Sequence, residues 1–111
     1  MGVTSKKVTG TDETTTFDHG RVEVVHVGDF TMRKNTFEPG WRWSEHVRPL
    51  AKTETCQVHH VGYLLSGRLG VRTTDGEEAE IGPGEAYEIL PDHDGWVIGD
   101  EAVNSIEFSG S

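Results

Sequence analysis

Residues 59–90 read HHVGYLLSGRLGVRTTDGEEAEIGPGEAYEIL. Short apolar stretches alternate here with turn signals, and none of them sustains the apolar spacing of a helix. We expect residues 59–74 to form two strand pieces that bend at Gly67, and Asp75-Gly76 is a hairpin signal. Strands joined by such short turns pair in antiparallel fashion. The stretch therefore predicts an antiparallel sheet.

The rest of the chain continues this pattern. Pro83-Gly84 and Pro91-Asp92 mark further turns. Trp41 and Trp43, at a spacing of two, suit a pleated strand over 41–47. The sequence predicts an all-β antiparallel sandwich or barrel of about eight or nine strands without a helix. Further strands are placed at 21–27, 29–38, 77–81, 86–90, 96–98 and 103–108.

A chain of 111 residues has room for one domain. Residues 1–16 are rich in Thr, Ser and Lys, and we expect a flexible arm there, or an edge strand that a partner orders. Residues 17–111 then form the barrel domain. Because a domain of this size leaves much of its surface exposed, we expect a homodimer.

The chain carries 19 acidic and 10 basic residues, a formal net charge of -9. A field of that sign repels phosphate backbones and anionic lipid, which argues against nucleic-acid and membrane-surface partners. No apolar run is long enough to cross a bilayer, and residues 1–16 lack the apolar segment of a signal peptide. The lone cysteine, Cys56, cannot form an internal disulfide, so we expect a cytoplasmic protein.

Four of the six histidines lie in or beside predicted strands of the central sheet, namely His46, His59, His60 and His93. Neutral imidazole is the commonest protein ligand for zinc, iron, nickel and copper. These histidines come from three separate segments, which can converge inside a barrel. Because neighbours on a strand face opposite ways, only one of His59 and His60 points inward without a bulge. Spacing alone leaves open that all of them are exposed or hydrogen-bonded.

Residues 37–108 resemble a cupin domain. Cupins carry a first motif that begins with Gly and His-x-His and ends on a strand with Glu and Gly. Their second motif runs from Gly through Pro-x-Gly to His and Asn. The segments of this sequence that resemble these motifs are GWRWSEH at 40–46, YLLSGRL at 63–69 and IGPGE at 81–85.

The first motif is partly substituted. Gly40 is followed after five residues by His46, as in cupins. Arg48, however, stands where the second histidine of His-x-His is expected, and His60 occupies the glutamate position.

The second motif also departs from the family pattern. Leu90 replaces its proline and Asp92 its glycine, and Gly95 stands at the histidine position. His93 lies two residues earlier. A shift of two keeps His93 on the same face of the strand, so it can still point inward.

The resemblance implies a metal site formed by His46, His60 and His93, with open positions for water or substrate. His59 is a candidate fourth ligand if the strand bulges. The implied cofactor is a divalent transition metal, namely zinc, iron, nickel, copper or manganese.

His46 presents a conflict of strand parity. It has the opposite parity from Trp41 and Trp43. In a regular strand, an inward His46 sends both tryptophans outward, where a dimer partner or the N-terminal strand would have to cover them.

Other residues have more than one interpretation each. Glu45 and Asp94 are candidate general bases or partners that orient an imidazole, and are equally explained as solvated acids. Cys56 is a soft fourth ligand, a redox thiol or a buried inert cysteine. Four aromatic residues line a ligand pocket or simply pack in the core, namely Tyr63, Tyr87, Trp96 and Phe37.

Two functions from different classes follow. The first is a metal-dependent cupin enzyme acting on a small organic molecule, as an oxygenase, isomerase, decarboxylase or cyclase. The second is a non-catalytic module that binds a small ligand without a functional metal. The surviving histidines favour the first, and the substituted motif positions favour the second.

Overall fold

The computed structural model describes residues 2–8 and 13–110, and over these the chain forms nine strands and two short helices. The antiparallel all-β prediction is confirmed. The strands are β1 (Glu13–Phe17), β2 (Gly20–Val27), β3 (Phe30–Phe37), β4 (His60–Ser66), β5 (Leu69–Thr73), β6 (Glu78–Ile81), β7 (Ala86–Ile89), β8 (His93–Val97) and β9 (Val103–Gly110). Between β3 and β4 lie the helices α1 (Trp43–His46) and α2 (Arg48–Ala51).

The strands form two sheets that enclose one core. Six strands pair in the order β1-β2-β3-β9-β4-β7, and three pair in the order β6-β5-β8. All of these pairings are antiparallel. Both sheets bury apolar side chains against one another, so the molecule is a single all-β domain. The core consists of Trp41, Trp43, Cys56, Leu64, Leu69, Val71, Ile81, Tyr87, Ile89, Val97 and Val103.

Strand register sets the inner face of the six-stranded sheet. Arg33 on β3 lies opposite Glu107 on β9. Glu107 in turn lies opposite Gly62 on β4, and Gly62 opposite Tyr87 on β7. Directly paired residues share a face of a sheet. Three polar side chains from distant parts of the sequence therefore point into the same interior.

Two predicted turns are confirmed. The chain bends between β4 and β5 at Gly67, whose φ is 81°. A Cβ at Gly67 would lie 2.4 Å from the carbonyl oxygen of Ala102, so the site requires glycine for space as well as for conformation. Asp75-Gly76 forms the hairpin between β5 and β6, with a φ of 96° at Gly76.

The predicted strand over 41–47 is wrong. The amides of His46 and Val47 each donate at 2.9 Å to the carbonyls of Arg42 and Trp43. This is the hydrogen-bond pattern of a helical turn. A carboxylate from outside the segment satisfies one of its free amides, since Asp94 Oδ1 accepts the Ser44 N–H at 3.0 Å.

The helical turn also removes the parity conflict at His46. α1 begins at Trp43, and a helix does not alternate between two faces as a strand does. Trp41 and Trp43 are both buried, with 5% and 7% of their surface exposed. Their outward direction was expected only for an inward His46 in a regular strand, and residues 43–46 are not a strand.

The predicted N-terminal arm, residues 1–16, is described only in part. Residues 1 and 9–12 lie outside the described residues. Glu13–Phe17 forms β1, which is at one edge of the six-stranded sheet and pairs with β2. The domain boundary at residue 17 stays a prediction. Neither short helix of the described chain has the length and apolarity that a membrane span requires.

Candidate metal centre

The side chains of Cys56, His60 and His93 converge inside the barrel, and their ligand atoms all lie within 4.8 Å of one another. Cys56 Sγ is 3.5 Å from His60 Nε2. The rings of His60 and His93 meet edge-on, with their centroids 5.1 Å apart. One sulfur and two imidazole nitrogens around a common point form a donor set suited to a transition metal.

Each of the three residues is fixed by a different part of the fold. His60 begins β4 in the six-stranded sheet, and His93 begins β8 in the three-stranded sheet. Cys56 lies in the loop before β4, and a pair of backbone hydrogen bonds ties it to the start of β8. Its amide donates to the His93 carbonyl at 2.8 Å, and its carbonyl accepts the Asp92 amide at 2.8 Å. The cluster therefore bridges the two sheets.

Hydrogen bonds on the far side of each ring orient both imidazoles. His60 Nδ1 lies 2.8 Å from Glu107 Oε1, and His93 Nδ1 lies 2.6 Å from the carbonyl oxygen of Leu90. Both partners accept, so each Nδ1 carries the donated proton. This leaves each Nε2 as the atom that can offer a lone pair to a metal.

A buried tyrosine completes the support of His60. The Tyr87 hydroxyl donates to Glu107 Oε2 at 2.7 Å. Both side chains pass over Gly62, where a Cβ would lie 2.8 Å from Glu107 Cγ and 2.9 Å from the Tyr87 hydroxyl oxygen. The glycine thus makes room for the hydrogen-bonded chain from Tyr87 through Glu107 to His60.

Glu107 is absent from the sequence-based candidates. Its inward position follows from its alternation with Val103 and Ser105 on β9, since all three are buried. In the sequence, the signal is an acidic residue at the same parity of a strand as apolar and small residues that are expected to be buried.

Cys56 and His60 form a charged pair at neutral pH. Burial alone would raise the pKa of the Cys56 thiol, but hydrogen bonds with His60 and His93 outweigh it and lower the pKa to about 6. Burial alone would lower the pKa of His60, but hydrogen bonds with Cys56 and Glu107 outweigh it and raise the pKa to about 9.

The carboxylate behind His60 is ionised as well. Burial opposes its charge, but the His60 hydrogen bond lowers the pKa of Glu107 overall. Burial, together with the charge of Glu107, raises the pKa of Tyr87, so the hydroxyl keeps its proton and remains a donor. Negative and positive groups therefore alternate from Cys56 through His60 to Glu107.

The cluster opens onto a cavity of about 240 Å³. Aromatic side chains form much of its wall, and Phe37 stacks on Trp41 with ring centroids 4.0 Å apart. Phe17 and Trp43 add to this wall, and Arg33 also lines the cavity. A concave, mainly apolar space with a few polar groups is typical of a small-molecule site.

No protein-family model matches the sequence, and no curated protein matches it. Solved structures do match. A structural-genomics protein of unknown function from Rhizobium leguminosarum has a TM-score of 0.60 at 26% identity, over 81% of this chain and 79% of that one. A cupin-2 domain protein from Rhodospirillum rubrum has a TM-score of 0.61 at 18% identity, over 86% of this chain and 62% of that one. Ectoine synthase from P. lautus has a TM-score of 0.66 at 12% identity, over 93% of this chain and 72% of that one.

The chain has the cupin fold. Two cupin motif positions that lack histidine lie apart from the ligand atoms of the cluster. Arg48 is exposed and pairs with Glu54 at 3.1 Å. Gly95 faces the cavity on β8, and His93, two residues earlier, shares this inward face. His93 therefore faces the interior, as the shift of two residues along the strand predicts.

His46 is separated from the other two predicted ligands, which corrects the three-histidine grouping. α1 carries it to the β1–β2 turn, where His46 Nε2 is 3.7 Å from Asp18 Oδ2 and its ring lies 4.5 Å from that of His19. Its Nδ1 accepts the Arg42 backbone N–H at 3.0 Å. Asp18, His19 and His46 form a separate group of possible ligands at this turn, more exposed than the barrel cluster. Cys56 takes the third place in the barrel cluster.

The other polar candidates also lie outside the cluster. His59 is exposed and pairs with Glu88 at 2.8 Å, so it is not a fourth ligand in this arrangement. Asp94 is occupied by the start of α1, since its Oδ2 also accepts from Arg42 at 3.3 Å. Glu45 is exposed on α1. Neither acid contacts the cavity cluster as a base would.

The four predicted pocket aromatics separate into different environments. Phe37 lines the cavity. Tyr87 is buried behind Glu107. Tyr63 is 42% exposed on the outer face of β4. Trp96 lies on the outer face of β8, with the Arg42 guanidinium 4.8 Å from its ring centroid. Tyr63 and Trp96 alternate with inward residues, so strand parity places them outside.

Proposed function

We propose that this cupin binds a divalent transition metal through Cys56, His60 and His93 and holds a small organic molecule beside it. The orientation of the imidazoles carries the proposal. Both rings use Nδ1 for a carboxylate or carbonyl, which leaves Nε2 for a metal, and His60 Nε2 lies beside the Cys56 sulfur. Metal-binding histidines in proteins are oriented in this way.

The donor set narrows the choice of metal. A thiolate with two imidazoles favours zinc, iron, nickel or copper over manganese, which prefers oxygen ligands. Three protein ligands leave a coordination position open toward the cavity. A metal held there would polarise an oxygen of the bound molecule.

The chain's own residues have distinct parts in this function. Glu107 orients His60 and increases its basicity, and Tyr87 fixes Glu107. The aromatic wall excludes water from the bound molecule. This arrangement supports a metal-dependent enzyme over a module that only binds a ligand, and the class of reaction stays open among oxygenation, isomerisation, decarboxylation and cyclisation.

Metal content of variants tests the proposal. Protein made without a histidine tag is loaded with zinc, passed over a desalting column and analysed for metal. We expect about one equivalent in the wild type and a large loss in Cys56→Ala, His60→Ala and His93→Ala. His46→Ala and His59→Ala remove histidines outside the cluster and serve as matched controls. Equal zinc in His93→Ala and the wild type would contradict the proposal.

Thiol chemistry without a metal is a second candidate. The chain of hydrogen bonds from Cys56 through His60 to Glu107 has the order of a nucleophile, its base and the group that orients the base. Alkylation of Cys56 by iodoacetamide separates the two candidates. If zinc is the resident ligand, added zinc blocks alkylation and a chelator restores it. If Cys56 is alkylated at the same rate with added zinc and with a chelator, the result favours thiol chemistry without a metal.

A further inference from the structure

Within the described part of the chain, Arg33 differs from most other arginines in making no side-chain hydrogen bond or ion pair. Four other arginines have a carboxylate oxygen within 3.1 to 3.7 Å of the guanidinium, namely Arg21, Arg42, Arg48 and Arg72. Among the described residues, Arg33 makes no side-chain hydrogen bond or ion pair, although it is half-buried and lines the cavity. A guanidinium held in a largely apolar cavity without a partner is costly unless a ligand supplies the acceptor.

The carboxylate opposite Arg33 is hydrogen-bonded to other residues. Glu107 is the cross-strand neighbour of Arg33. Its oxygens contact His60 at 2.8 Å and the Tyr87 hydroxyl at 2.7 Å. Arg33 therefore acts on Glu107 only through longer-range attraction, and its own five N–H donors stay available.

Charge at the site points to a single negative charge on the ligand. Arg33 is the one arginine or lysine on the described lining of the cavity, and its guanidinium is charged at any ordinary pH. A guanidinium fork matches the two oxygens of a carboxylate.

The apolar lining and the volume of the cavity indicate the size and polarity of the rest of the ligand. Phe37 and Trp41 stack with ring centroids 4.0 Å apart, and Phe17 lies 6.2 Å from Phe37. Val22 and Val71 add aliphatic surface. A volume of about 240 Å³ is below that of a site for a drug-sized molecule.

We propose that Arg33 is the recognition residue for the carboxylate of a small apolar or aromatic organic acid that occupies this cavity. The assignment rests on the proposed use of the cavity as a ligand site. It makes Arg33 a specificity-determining residue, which selects an anion over a neutral or cationic molecule of the same shape.

Binding of three isosteric probes tests the assignment. Phenylacetate, phenylacetamide and phenethylamine are titrated into metal-free and zinc-loaded protein, and binding is followed by calorimetry and by fluorescence of Trp41 and Trp43, which line the cavity. We expect phenylacetate to bind at least about tenfold more tightly than phenylacetamide, since a charge-assisted hydrogen bond has about that effect. Phenethylamine should bind most weakly. Equal affinities, or no binding of phenylacetate, would overturn the assignment.

Variants test whether Arg33 is the source of the preference for phenylacetate over phenylacetamide. Arg33→Gln should bind phenylacetate and phenylacetamide equally. Arg72→Gln is the matched control, because Arg72 is exposed and pairs with Glu78 on the outer surface, and it should keep the wild-type preference. Persistence of the preference in Arg33→Gln would overturn the assignment.

A chemical measurement on the wild type covers the case in which Arg33→Gln does not fold. Phenylglyoxal modifies accessible arginines, and peptide mass spectrometry reports each site. Phenylacetate should slow the modification of Arg33 and leave that of Arg72 unchanged. Equal rates at Arg33 with and without phenylacetate would count against the assignment.

Zinc content is measured on the same samples. Loss of zinc binding with the carboxylate preference intact in metal-free protein would overturn the metal proposal alone.

Discussion

His60 lies between the Cys56 thiol and the Glu107 carboxylate, and a metal bound in the proposed centre would have to displace its proton. Between pH values of about 6 and about 9, the pair holds one proton as a thiolate and an imidazolium. A metal bound as proposed would take the thiolate and a neutral imidazole, so its binding would release that proton. Protons compete with the metal, and the affinity must therefore rise with pH.

We expect zinc affinity to increase about tenfold from about pH 7 to about pH 8. Competition with a chromophoric chelator, corrected for the chelator's own protonation, measures this slope. A flat profile across that range would show that His60 is not a ligand. His46→Ala should give the wild-type slope.

Glu107 would affect the proposed metal only through His60, whose Nδ1 it contacts. Replacing Glu107 with Gln keeps an acceptor for His60 Nδ1 but removes the charge. Loss of such a supporting partner typically weakens metal affinity about 10- to 100-fold. Glu88→Gln is the control, since Glu88 pairs with the exposed His59. The same chelator competition measures the zinc affinity of both variants. An unchanged zinc affinity in Glu107→Gln would contradict the supporting role of Glu107.

At the scale of elements, β4 can approach β7 and β9 closely because it has no side chain at position 62. A Cβ at Gly62 would lie 2.4 Å from the Ile106 carbonyl oxygen, which belongs to the backbone and cannot turn away. We expect Gly62→Ala to lower the free energy of unfolding by about 1–3 kcal/mol. It should also weaken zinc binding, because the bond from Glu107 to His60 shifts.

Gly95→Ala is the control for this substitution. A Cβ at Gly95 would meet its neighbours at 3.5 Å or more, which is an ordinary contact. Urea unfolding of both variants should show a lower midpoint for Gly62→Ala and little change for Gly95→Ala. Equal midpoints would mean that the space over Gly62 is not required.

Strand parity explains what could be predicted from the sequence and what could not. On β8, alternation placed His93 inward, and the observed burial agrees. At 41–47, alternation of Trp41 and Trp43 mimicked a strand, because the carboxylate that supports the helical turn comes from Asp94 on a distant strand. Cys56 was ambiguous for a similar reason. Its place beside the histidines depends on a backbone bridge to His93 that no local pattern reveals.

At the scale of the whole molecule, the candidate centre joins the two sheets through His60 and His93. A metal that binds only the folded state stabilises it by mass action. At a free zinc concentration of about 100 times Kd, the gain is about 2.7 kcal/mol, which should raise Tm by about 10 °C. Differential scanning calorimetry measures the shift. Zinc should raise the Tm of His46→Ala as it does that of the wild type, and should leave the Tm of His93→Ala unchanged. An unchanged wild-type Tm at saturating zinc would count against a site that forms on folding.

The outer face of the six-stranded sheet is where we propose that the homodimer forms. Large apolar side chains are exposed there, namely Phe30, Val61, Tyr63, Leu65 and Phe108. An apolar patch of this kind marks an interface, and a second copy offers the same face to match it. Light scattering should give a dimer mass for the wild type and a monomer mass for Leu65→Glu. Ala79→Glu, on the exposed β6, is the control, and a monomeric wild type would contradict the proposal.

The link between the sheets has a consequence for the lifetime of the protein in a cell. Because the proposed ligands come from both sheets, separating the sheets would also disperse them, and unfolding and metal release would be a single event. Proteases cleave the open state, and its population falls as metal becomes available. The abundance of this protein would then follow the metal supply without a change in its synthesis.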